Sequence, residues 1–142
     1  EYFYAWKGGG AWLNGKAIHT STVSTIDQSL IATGFPYTNF TFLTQFMNSM
    51  DYFMKNSHGL RRLGSAATDI AYVACGRYDG FYEYGLNPWD IAAGLLLVKE
   101  AGGEVGDFRG HKNPLFSENI ICSNANNYKE FQKTIEKIML AE

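Results

Sequence analysis

The chain has 142 residues, of which 46% are hydrophobic and 18% charged, with a formal net charge of -2 at neutral pH. That length suits one domain with a real core, and the slightly acidic balance argues against a polyanion-binding surface, so no nucleic-acid partner is expected. No run reaches the roughly 18 to 20 apolar residues of a membrane span, no signal peptide opens the chain, and Cys75 and Cys122 form no CxxC, so a cytoplasmic chain without membrane, disulfide framework or zinc site is expected.

Tyr2 to Trp6 and Ala11 to Ile18 are aromatic and β-rich, and Gly8-Gly9-Gly10 and Asn14-Gly15 supply tight turns, which predicts antiparallel strands. The triple glycine lacks the GxxxxGK[ST] spacing of a phosphate loop and no helix signal follows it, so it is read as a turn or bulge. The chain begins at Glu1 inside what reads as an element already under way, and is expected to be a portion of something longer. Ser29 to Phe35 is a short apolar run closed by Gly34 and Pro36, the pattern of a strand buried on both faces. From Asn39 to Lys55, Phe42, Phe46, Met50 and Phe53 recur at helical spacing and predict a core-facing or partner-facing stripe.

Gly59 to Leu63 reads as a short strand, and Gly64-Ser65-Ala66-Ala67 opens a small-residue helix reaching about Cys75. Asp79-Gly80 makes a turn into an aromatic strand that carries Glu83. The next helix is the best defined: Asn87 can cap it, Pro88 is its first residue and Gly102-Gly103 end it. Glu104 to Phe108 and Asn119 to Ser123 read as strands, and Asn126 to Leu140 as a closing amphipathic helix. This alternation predicts an α/β layered sandwich with antiparallel character at its N-terminal hairpin.

Two carboxylates stand out. Asp90 occupies the third helical position after Asn87, where a negative charge meets the positive end of the helix dipole for roughly 0.3 to 1 kcal/mol. The same placement at the carboxyl end of a strand also suits a ligand for a hard cation such as Mg2+. Glu83 lies among Phe81, Tyr82 and Tyr84, and a half-buried acid there needs either a protein partner or a substrate. Ser65 in "LGSAA" does not match GxSxG, so no serine hydrolase is expected, and His19, His58 and His111, which have no metal or triad spacing, are read as surface or loop positions.

The stretch "NPWDIAAGLLLVKEAGGEV" resembles the second signature of the inositol monophosphatase family, W-D-x-A-A-G-x-x-L-V-x-E-A-G-G. "RRLGSAATDIAYVACGRYDGFYEYGLNPWD" and "KGGGAWLNGKAI" extend the similarity over essentially the whole chain, matching the C-terminal half of a family member. The resemblance implies the C-terminal domain of an αβαβα fold, a lithium-sensitive, Mg2+-dependent phosphomonoesterase, a phosphorylated small-molecule substrate such as an inositol or sugar phosphate, and a homodimer. It implies Asp90 as a metal ligand, Glu83 as an acid bonding substrate hydroxyls, Gly64, Ser65 and Ala66 as a substrate-binding segment in which Ala66 contacts the substrate ring, and Asp79 as a further acid on the substrate side. The family's D-P-[IL]-D-G-T signature and its upstream metal-binding Glu are absent from these residues, so the chain alone is expected to be inactive. The alternative is a non-catalytic sugar- or phosphate-binding or assembly module.

Overall fold

The computed structural model describes residues 1–141. Its N-terminal part is a three-stranded antiparallel sheet of β1 (Phe3–Ala5), β2 (Ala11–Leu13) and β3 (Lys16–Ile18). Asn14 and Gly15 both take positive φ, as a two-residue hairpin turn requires. The triple glycine is a turn for a visible reason: Gly8 and Gly10 also have positive φ, and a Cβ on Gly9 would lie 1.8 Å from the Trp6 indole. Their amides are not free for phosphate, because Gly8 N–H and Gly10 N–H donate to the two carboxylate oxygens of Glu100.

The main sheet has five strands in the order β5-β4-β6-β8-β7. These are β4 (Leu30–Thr33), β5 (Gly59–Arg61), β6 (Gly80–Tyr84), β7 (Gly103–Gly106) and β8 (Asn119–Asn124). β4 runs parallel to β5 and β6, whereas β8 is antiparallel to both β6 and β7. The helices are α1 (Leu43–Asn56), α2 (Ala66–Ala74), α3 (Pro88–Glu100) and α4 (Tyr128–Met139).

Side-chain alternation along the strands builds two cores. Phe81, Ile120 and Cys122 face α2 and α3, with Ile70, Val73, Ile91 and Val98. Ile31, Tyr82 and Ile121 face α1 and α4, with Phe46, Phe53, Phe131 and Ile135. The small sheet packs on the far side of α3, so the layers run α1 and α4, main sheet, α2 and α3, small sheet. The layered sandwich expected from the sequence is therefore present, and no helix among the described residues is long and apolar enough to cross a membrane.

Two expectations shift. The first helix starts at Leu43 rather than Asn39, because the Asn39 side chain accepts from Thr41 N–H and forms a turn of its own. Its stripe faces the core: Phe46 and Phe53 are buried and Phe42 packs edge-on to Tyr84, while Leu43, Met47 and Met54 point outward. The strand expected over Glu104 to Phe108 is Gly103–Gly106, since Asp107 leaves the ladder to accept from Arg109 N–H and His111 N–H.

Candidate functional site

The parallel strands β4, β5 and β6 all finish at the same edge of the main sheet, and the segment following each turns over a common cleft of about 450 Å³. Gly34–Asn39 follows β4, Gly64–Ala67 leads from β5 into α2, and Gly85–Asn87 leads from β6 into α3. The crevice outside the carboxyl ends of parallel strands is where an open α/β sheet binds ligands. The first turns of α2 and α3 both border it, so two positive helix ends face the same space and favour an anion there.

Asp90 belongs to both the helix and the cleft. Its Oδ2 accepts from Asn87 N–H at 2.9 Å and closes the first turn of α3, while Oδ1 makes no hydrogen bond among the described residues. The helix start and the availability for a cation are thus properties of two different oxygens of one side chain.

Glu83 lines the cleft floor and is only 8% exposed. Its carboxyl group lies directly against Gly34: a Cβ there would fall 2.1 Å from the carboxyl carbon. No hydrogen bond to that carboxyl group exists among the described residues, so a protein partner does not account for it. Burial first, then the charges of Asp69 and Asp90, push it up to about 7 against the pull of Arg62.

Gly64, Ser65 and Ala66 border the same cleft. The Ser65 hydroxyl accepts from Thr68 N–H and caps α2, which gives it a structural task and leaves no base beside it. Gly64 has a φ of +90°, a conformation that side chains avoid, and lets the chain turn from β5 into α2 without filling the cleft.

Asp79 is not brought to the cleft. It precedes β6 at the opposite end from Glu83, about 13 Å away along the strand. Its Oδ1 accepts from Ser21 at 2.5 Å and its Oδ2 from Leu30 N–H at 2.6 Å, so both oxygens tie loops to the sheet. His19, His58 and His111 are all exposed and outside the cleft, as expected of loop residues.

Sequence reasoning missed two contributors. One is the wall Gly34–Asn39, whose signal is a Gly and a Pro directly after a strand buried on both faces. The other is Asp69, fully buried one turn into α2, whose spacing of three from Ala66 places it on the same helix face.

For metal, the donor chemistry is half present. Carboxylate oxygen is what a hard divalent cation takes, and the unengaged Asp90 Oδ1 offers one. No cluster of three or more His, Cys, Asp or Glu side chains able to hold an ion exists among the described residues, so Asp90 cannot hold one alone.

A family profile described as "Inositol monophosphatase family" matches residues 1–140. The chain is 48% identical over 124 residues to Nus factor SuhB of Escherichia coli K12, covering 87% of this chain and 46% of that one. It is 43% identical over 137 residues to inositol monophosphatase of Dictyostelium discoideum, covering 95% and 50%. It superposes on the structure of inositol monophosphatase from Anabaena with a TM-score of 0.86 at 32% identity, covering 96% of this chain and 54% of that one. The chain spans about half the length of the curated relatives it matches.

Proposed function

The chain belongs to the inositol monophosphatase family, and from that premise we propose that it forms the substrate-side wall of a metal-dependent phosphomonoesterase. The observation that carries this reading is the convergence of Asp90 Oδ1, the unpartnered Glu83 carboxyl group and two helix N-termini on one cleft. The positive ends of α2 and α3 draw the phosphate in, and the small residues Gly64 and Ala66 let the body of the substrate lie close to the backbone. Glu83 bonds hydroxyls of that body, which satisfies both the substrate and an acid that is otherwise buried without a partner. An inositol or sugar phosphate, hydroxyl-rich on one side and anionic on the other, suits this pairing.

Asp90 supplies one oxygen ligand to Mg2+, and the remaining ligands come from outside the described cleft wall. Such an ion acidifies water and offsets charge on the phosphate and leaving oxygen. No side chain of this cleft needs to act as a covalent nucleophile: Ser65 is occupied as a cap, and neither cysteine lines the cleft. Lithium sensitivity and a homodimer accompany this reading. Asp79 keeps at most an indirect role, holding Leu30 and Ser21 behind the sheet.

The test is Asp90→Asn in the full-length protein, with phosphate release measured on inositol, fructose-bisphosphate, histidinol and adenosine phosphates. Asn keeps an oxygen able to accept from Asn87 N–H but loses the charge, so activity should fall at least about 100-fold with the fold retained. An unchanged rate would sink the assignment. A second reading, an assembly module without catalysis, is favoured by the name Nus factor that some relatives carry. Under it, no phosphate ester of the panel would be hydrolysed although the protein is folded.

A further inference from the structure

Four carboxylates are buried among the described residues, and three have an account. Asp79 and Asp107 accept hydrogen bonds on both oxygens, and Glu83 faces the cleft. Asp69 is 0% exposed, and neither of its oxygens has a hydrogen-bond partner. A buried acid left bare costs stability, so its presence calls for an explanation beyond packing.

Its position supplies one. Asp69 shares a face of α2 with Ala66, and α2 packs on the strands β6 and β8 that carry Phe81, Glu83 and Cys122. Its charge reaches Glu83, Tyr78 and Cys122. The charged groups acting on Glu83 are Asp69 from α2, Asp90 from α3 and Arg62 from the segment before α2; β4 and β8 contribute Leu30, Ala32, Ile120 and Cys122 to the core on this face, none of them charged. Arg62 is the one cation that acts on both acids, and its guanidinium stays stacked on Phe35 at 4.8 Å.

We propose that Asp69 is a positioning residue for the cleft: its buried charge behind Glu83 decides whether Glu83 meets a substrate hydroxyl as a neutral acid or as a carboxylate. The inference rests on the reading of Glu83 as the acid that bonds substrate hydroxyls. A neutral carboxyl group donates one hydrogen bond and accepts others, whereas a carboxylate only accepts. Burial pushes Asp69 up to about 6 and, with Asp69 charged, Glu83 up to about 7. Charging Asp69 therefore works to keep the proton on Glu83, and a protonated Glu83 can donate and accept at once. The two acids titrate as a pair.

Carbon-13 NMR of the side-chain carboxyl groups, followed from about pH 4 to about pH 9 in the substrate-free protein, tests the coupling without needing activity. In the unaltered chain the Asp69 and Glu83 resonances should each show a second inflection at the other's midpoint, a result that does not depend on any variant folding. In Asp69→Asn the Glu83 midpoint should fall by roughly half a pH unit or more and become a single inflection. Independent single inflections in the unaltered chain, or an unmoved Glu83 midpoint in the variant, overturn the proposal. In the full-length protein, the pH profile of KM for inositol 1-phosphate should shift to lower pH in Asp69→Asn and flatten in Glu83→Gln. If the midpoint moves but Glu83→Gln leaves KM and its pH profile unchanged, the reading of Glu83 fails, and the role of Asp69 in the cleft fails with it.

Discussion

Glu83 sits on the Gly34 backbone with no donor to its carboxyl group, and folding pays electrostatically to put it there. An acid whose folded pKa lies above its unfolded value binds a proton more tightly when folded. Its stability contribution is therefore intact below the unfolded value near 4.5 and is lost as pH rises through the folded value of about 7. Glu83→Gln removes that loss, so the variant should gain about 1 to 3 kcal/mol over the parent at pH 8 and nothing near pH 4. Urea unfolding at the two pH values reads the difference directly. A gain of equal size at both would mean that packing, not charge, is responsible. Asp90 differs in kind: one oxygen already has the Asn87 amide, so its replacement tests function with little effect on folding.

At the scale of elements, the cleft depends on how closely α2 and α3 approach. Gly94 sits where they touch, and a Cβ there would lie 2.6 Å from Ile70 Cγ2 and 3.0 Å from its Cβ. Gly94→Ala gains helix propensity, worth up to about 1 kcal/mol, but must push apart two helices whose first turns border the site. Overpacking of this kind costs about 1 to 3 kcal/mol, so a net loss of stability is expected by thermal or urea unfolding. A more stable variant would show that the helix contact yields easily. On the far side of α3, Glu100 receives the amides of Gly8 and Gly10, so a loop that resembles an anion nest holds an anion of its own chain and locks the small sheet to the helix. That sheet turns Tyr4, Trp6 and Trp12 outward as parallel rings spaced 6.1 to 6.4 Å apart.

At the scale of the molecule, the described residues bring one unengaged oxygen of Asp90 to the cleft, and the proposed metal-dependent reaction needs more ligands than that. The 142-residue chain by itself should release little or no phosphate in the presence of Mg2+, and appreciable turnover by purified chain would overturn that expectation. Size measurement of the full-length protein in solution checks the proposed homodimer.

Local grammar was enough for much of this. The Asn-Gly hairpin, the Asn87-Pro88 helix start, the buried strand at Leu30–Thr33 and the closing amphipathic helix follow from turn chemistry, capping and periodicity, which act over a few residues. The family resemblance pointed to Asp90 through the Trp89-Asp90 signature and to Glu83 through the stretch that precedes it. It could not separate Asp79 from them, because seven or eleven positions of spacing do not say which end of a strand a carboxylate occupies. Only the tertiary structure decided that Asp79 binds loops at the opposite edge. It likewise placed the Gly34 backbone under Glu83 and left Asp69 bare behind it, since burial and charge coupling arise between segments that the chain separates by dozens of residues.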